Sequence, residues 1–241
     1  LYAVDTTVPF ALSAACFLGA CGLMILMRLE RPAPRREPAT LRSVFSGIAF
    51  IRSRPMILGA ISLDMFAVLL GGATALLPIY AHDILQTGPW GLGLLRAAPA
   101  VGALIMSAVL TRVPLRRAVG HKMFAAVVVF GAATVVFAAS TSLALSLAAL
   151  AVLGAADNVS VVIRSSLVQL LTPDEMRGRV SAVNSLFIGT SNQLGEFESG
   201  MVAGLLGAVP AGIIGGLGTI AVALLWMRLF PALRKAQTLS G

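Results

Sequence analysis

Long apolar runs, separated by short charged or turn-forming stretches, follow one another along the whole chain. A bilayer core takes about 17–25 mostly apolar residues per helix. Seven runs are of that order, at roughly 8–27, 56–80, 90–111, 123–139, 143–171, 180–206 and 208–230. The expected fold is therefore all-α and integral to a membrane, with seven transmembrane helices.

The sixth run departs from the pattern. Thr172, Pro173 and Glu175 supply an N-cap, a proline at the first helical position and an acid three residues after the cap, so a helix is expected to start there. Arg177 and Arg179 follow one turn later, where they can hold their charges in the headgroup layer and mark the turn as cytoplasmic and gating. Beyond them Ser181, Ser185, Gly189, Asn192, Glu196 and Ser199 recur at steps of four and three, which draws one small, polar stripe down a single face. Such a face requires water or another helix. Glu198 lies about 200° around from Glu196, so the two carboxylates do not line one cavity together.

Charge divides the chain by topology. Arg28, Arg31, Arg35, Arg36, Arg42, Arg52 and Arg54 crowd the connection after the first run. Arg112, Arg116, Arg117 and Lys122 follow the third run, and Arg228, Arg234 and Lys235 the last. The connections at 82–90, 140–142 and 207–210 hold no lysine or arginine. The positive-inside rule then places the N-terminus outside and the C-terminus in the cytoplasm. The expected organisation is a first transmembrane helix at 1–28, a cytoplasmic basic linker at 29–55, six spans at 56–232 and a cytoplasmic tail at 233–241. Within the linker, Leu41, Val44, Phe45, Ile48 and Phe50 mostly share one side, as in an amphipathic helix lying on the membrane surface. Seven spans with the N-terminus outside are an awkward whole, and the expectation is a piece of a twelve-helix protein cut before its sixth helix.

Composition agrees and excludes other classes. The chain is 58% hydrophobic and 12% charged, against about 25% charged in a soluble domain. Its net charge of +8 follows topology and is not gathered on an aromatic-studded face, which sets nucleic acid aside. Cys16 and Cys21 sit on one apolar run without metal-ligand spacing. No phosphate-cradling loop and no nucleophile with a partner base is visible, so neither a cofactor nor an enzyme is expected. Asn158, Val159 and Ser160 match a glycosylation pattern inside a span, where it is accidental.

The candidate chemistry is the set of ionisable groups within the spans, which are expensive in lipid and mark ion or substrate paths. Runs four and seven carry none before Arg228 and are expected to face lipid. Runs two, three, five and six carry Asp64, Arg96, Asp157, Arg164 and Glu196 and should line the interior. Asp64, Asp157, Asn192 and Glu196 are the candidates for a proton and substrate pathway. Asp157 has two readings, a proton-carrying carboxylate or a packing aspartate bonded to Asn192 or Ser191. Arg96 and Glu196 fall at similar depth and could pair. Arg164, seven residues and about 10 Å along from Asp157, is read as a gate anchor on Glu175 or a helix-end carbonyl.

Two stretches, LLPIYAHDIL followed by GPWGLGLLRAAPAVGALIMSAVL, and then SLVQLLTPDEMRGRVSAVNSLF, resemble the C-terminal half of a major facilitator superfamily transporter, in wording closest to the enterobactin-exporter-like drug and siderophore exporters. The family's cytoplasmic loop motif has only an echo here, LTRVPLRRAVGHK, without its aspartate. The resemblance implies that the seven runs stand for the family's sixth to twelfth helices. It also implies two inverted three-helix repeats, a site near the midplane between two halves, and alternating access. On that basis the protein is expected to export an amphipathic drug or siderophore from a bacterial inner membrane, coupled to protons, together with a missing N-terminal half. The competing reading is a non-transporting scaffold or sensor that keeps the fold, disfavoured by the density of intramembrane charge.

Overall fold

The structure, a computed structural model, describes residues 7–26, 41–113, 115 and 117–238, with the side chains of 41–43 excepted. Arg28, Arg31, Arg35 and Arg36 with the front of the expected linker, Arg116 after the third run, and residues 239–241 lie outside the described residues. The chain divides into two units, Leu1–Ala39 and Thr40–Gly241. The first contains α1 (Val8–Leu26), none of whose residues is buried. It is apolar on every side, which is how a helix surrounded by hydrocarbon reads.

The second unit contains α2 (Leu41–Ser53), α3 (Pro55–Leu70), α4 (Leu77–Ile79), α5 (Gly88–Arg112), α6 (Val119–Ala139), α7 (Leu143–Leu171), α8 (Asp174–Leu206), α9 (Ala208–Leu229) and the short α10 (Pro231–Arg234). A 3₁₀ turn, Ala73–Leu76, precedes α4, and a π turn, Tyr80–Ile84, follows it. No strand occurs among the described residues.

Among the described residues, six stretches are long and apolar enough to cross a membrane: Val8–Leu26, Pro55–Ile84, Gly88–Arg112, Val119–Ala139, Leu143–Leu171 and Ala208–Leu229. The protein is thus a multi-pass membrane protein. The expected seventh, α8, has 33 residues and ample length, but its polar stripe leaves it short of the apolarity of the others.

Within the second unit α6 packs on α7 and α9, α5 on α7, α3 on α8 and α9, and α2 on α8. Three expectations are corrected by this arrangement. First, α6 and α9 were expected to face lipid, yet half of the most apolar window of α6 is buried in protein, against 17% for α5. A span without charges fits a protein interior as well as hydrocarbon, because neither offers water to an ion. Second, α2 does not spend its apolar side on the membrane surface. Ile51 is buried against Ile57, Ile61, Val180 and Val183, with Val44, Ile48 and Phe50 packed alongside, while Phe45 remains exposed. Third, α8 starts at Asp174 with Pro173 as N-cap and no side-chain capping bond. The capping box is not made, and the buried Thr172 hydroxyl has no hydrogen-bond partner among the described residues.

The run expected as one helix over 56–80 is interrupted at Gly71 and Gly72. Pro78 lacks the N–H that a continuous helix would donate, and two adjacent glycines hold the chain weakly helical. The break is also a site of close approach: a Cβ on Gly72 would lie 2.6 Å from the Gly195 carbonyl oxygen and 2.6 Å from Ser199 Oγ on α8.

Candidate functional site

The interrupted helix opens the space that α5, α7 and α8 close. A cavity of about 340 Å³ is lined by Gly71, Gly72 and Thr74 at the break, Pro99 on α5, Asp157 on α7, and Asn192 and Glu196 on α8. Leu150, Leu153 and Phe130 supply apolar wall. Asp157, Asn192 and Glu196, singled out from sequence, therefore meet in one cavity. Of the remainder of the α8 stripe, Ser181, Ser185 and Gly189 are exposed along the same side of the helix, while Ser199 is buried against the break at Gly72. Glu198 points elsewhere, is only half-exposed, and accepts from the Ser199 hydroxyl at 3.5 Å.

Asp157 is half-buried and makes no hydrogen bond or ion pair among the described residues, so the packing bond to Asn192 or Ser191 is not formed. Asp157 faces two spaces. Beside the main cavity lies a void of about 10 Å³ lined by Asp64, Ala67, Asp157 and Ser160, a volume on the scale of a single water molecule. Val68 and Phe130 separate the two spaces and line both. The Ser160 hydroxyl is buried on the small side and has no hydrogen-bond partner among the described residues.

Behind that void sits the feature that sequence reasoning missed. Asp64 on α3 and Arg164 on α7 form an ion pair, with only 5% and 4% of their surfaces exposed. Arg164 therefore does not reach Glu175, which is exposed at the α8 start. Depth could have shown the pair. Asp64 lies nine residues into α3 and Arg164 seven before the end of α7, about 13.5 and 10.5 Å from helix ends on the same side. The 3 Å difference is within the reach of a guanidinium stem. Arg164 Nε, buried in the same place, has no hydrogen-bond partner among the described residues.

The structure does not bring Arg96 and Glu196 together. Both are exposed and neither makes an ion pair among the described residues. Equal depth failed to mean contact because α5 packs on α7, while α8 packs on α2, α3 and α9. Arg177 pairs instead with Asp174 one turn back, at 2.8 Å and in the open, where such pairs contribute little. Arg179 donates to Ser46 Oγ at 3.4 Å, tying α8 to α2. Asn158, beside Asp157, donates to Ser107 Oγ at 3.0 Å and joins α7 to α5.

Geometrically, the arrangement offers an apolar-walled chamber with one acid shared between it and a smaller void, and a buried ion pair beyond. Its carboxylates could bind a cation or exchange a proton, and no group of three or more potential metal ligands occurs among the described residues.

Comparison with known proteins bears on what such a chamber belongs to. The chain is similar to the enterobactin exporter EntS of Citrobacter koseri, 27% identical over 226 residues, which cover 92% of this chain and 53% of the exporter. The chain thus spans about half the length of that relative. No solved structure gives a significant match. The sequence model of the Major Facilitator Superfamily matches residues 1–195. With that match over most of its length, and with six apolar stretches of spanning length among the described residues, the chain belongs to the Major Facilitator Superfamily.

Proposed function

We propose that this chain is the C-terminal part of a proton-coupled exporter for an amphipathic drug or siderophore, working by alternating access in a bacterial inner membrane. The observation that carries the reading is the chamber itself: three polar groups from two helices, Asp157, Asn192 and Glu196, converge on about 340 Å³ of otherwise largely apolar wall. Binding sites for bulky organic molecules have this make-up, apolar surface with a few placed polar groups. The family membership supports a transporter, and the similarity to an enterobactin exporter supports export.

In this reading α8 is the seventh span, tolerated in the membrane because its polar stripe faces the chamber and not lipid. The basic connections lie in the cytoplasm, by the positive-inside rule. A second membrane-spanning half completes the chamber across the exposed stripe of α8. Asp157 is the proton carrier, since it faces the chamber and has no fixed partner. Asp64 and Arg164 hold α3 against α7 beside it, and Arg96, Arg177 and Arg179 take part in gating at the two ends.

Cysteine labelling tests the chamber's role. In the complete natural protein freed of its own cysteines, Asn192→Cys should react with a small maleimide, and siderophores or amphipathic drugs should slow that reaction several-fold. Gln237→Cys, exposed in the tail, should be indifferent to the same compounds. A chamber that no compound of either class protects would mean that substrate does not bind there, as a scaffold would behave.

A further inference from the structure

Outside the chamber, on another side of α7, a second concavity of about 410 Å³ runs between α5, α6 and α7. Its floor is made of small side chains, Ala125 and Ala126 on α6 and Ala155 and Ala156 on α7, and Met106 and Val152 form parts of its walls. The two alanine pairs face each other because α6 and α7 pack closely along their length, so the recess is a direct consequence of side-chain size. It is apolar throughout except for Lys122.

Lys122 stands three residues into α6, about 4.5 Å from the helix start, and its side chain is exposed. A lysine at that depth lays its stem along apolar surface and carries its ammonium to the interface. From Lys122 to Val129 the groove runs about 10 Å along α6, toward the middle of the bilayer. The charge that the chain carries near its Lys122 end is of one sign, and the Asp64 and Asp157 carboxylates lie behind the alanine floor, in the void that Ala126 and Ala156 also line. No acidic residue occurs anywhere between Asp83 and Asp157, while Arg112, Arg117 and Lys122 all fall in that stretch. None of these three cations forms an ion pair or a hydrogen bond through its side chain among the described residues.

We infer that this groove is a binding site for an anionic phospholipid, with one acyl chain lying on the alanine floor and the phosphate on Lys122, and Arg112 and Arg117 contributing to the surrounding positive field. Apolar depth with an uncompensated cation at the headgroup end is the pattern expected of an anionic lipid site between membrane helices. The inference rests on membrane embedding and not on the transport reading, so the two stand or fall separately.

The test is mass spectrometry of lipid retained by the complete natural protein after delipidation and incubation with phosphatidylglycerol or with phosphatidylcholine of the same chains. The wild type should retain phosphatidylglycerol in preference, and Lys122→Gln should reduce that preference about fivefold, the weight of one interfacial lysine. Val152→Trp, which fills the groove at an exposed position, should reduce retention of both lipids. Lys235→Gln, a cation elsewhere on the surface, should change neither. Equal retention of the two lipids by the wild type, or an unchanged preference in Lys122→Gln, would overturn the assignment. So would chemical cross-linking that finds the groove occupied by protein, from another part of the natural chain or a second copy.

Discussion

Replacing Arg164 by Gln removes the only counter-charge that Asp64 has among the described residues, in a place where 5% of its surface is exposed. An ionised carboxylate left there without a partner destabilises a protein by about 3–5 kcal/mol, the range found when one member of a buried pair is deleted. Asp64→Asn leaves the opposite charge stranded and should act in the same direction. The double variant, Asp64→Asn with Arg164→Gln, strands nothing, because two amides can hydrogen-bond across the same gap. Its loss should fall short of the sum of the single losses by about 3 kcal/mol or more, at the top of the usual coupling of residues in contact, because each single loss is mainly the cost of a stranded charge. It should also be more stable than Arg164→Gln alone. Thermal unfolding of the complete protein in mild detergent, followed by circular dichroism, reads all four members of the cycle. Additive losses would refute the reasoning, and so would a double variant less stable than either single one.

Two further substitutions test the packing that shapes the chamber. A Cβ on Gly154 would overlap the Pro99 carbonyl, and one on Gly102 the Ala151 carbonyl, so α5 and α7 touch backbone to backbone. Gly154→Val should push them apart, destabilise by about 1–3 kcal/mol as overpacking does, and lower maleimide reactivity at Asn192→Cys as the chamber deforms; unchanged melting would contradict that contact. The Tyr80 hydroxyl donates at 2.7 Å to the Ala138 carbonyl, near the end of α6, where the helix leaves its last carbonyls without internal partners. Tyr80→Phe orphans that carbonyl and should destabilise by about 1–3 kcal/mol, with a melting temperature equal to wild type as the contrary result.

How much of this could be read beforehand differs from residue to residue. The apolar runs announced an all-helical membrane protein because spanning length is fixed by the bilayer and written directly in hydropathy. The α8 stripe was legible for the same reason, since a 3.6-residue period needs no tertiary information, and Asn192 and Glu196 do line the chamber. What packs against what was not legible. Lipid and protein interior look alike to a charge-free helix, so α6 and α9 read as lipid-facing when they are partly core. The amphipathic side of α2 carried no mark saying whether α8 or a membrane surface would cover it. Equal depth misled for Arg96 and Glu196, because it constrains one coordinate of three. The break in the second run did leave a signal, Gly71 and Gly72 followed by Pro78, and the Asp64 and Arg164 pair was visible in matched depth once the ends of α3 and α7 were known.

In the proposed cycle the chamber couples substrate to proton movement through Asp157. Its most direct test is proton flux into vesicles holding the complete natural protein, wild type and Asp157→Asn side by side, as siderophores and amphipathic drugs are added one at a time. Substrate-triggered proton movement is expected in the wild type and none in Asp157→Asn, with the variant still folded and still inserted. Proton movement of undiminished size in Asp157→Asn would contradict it.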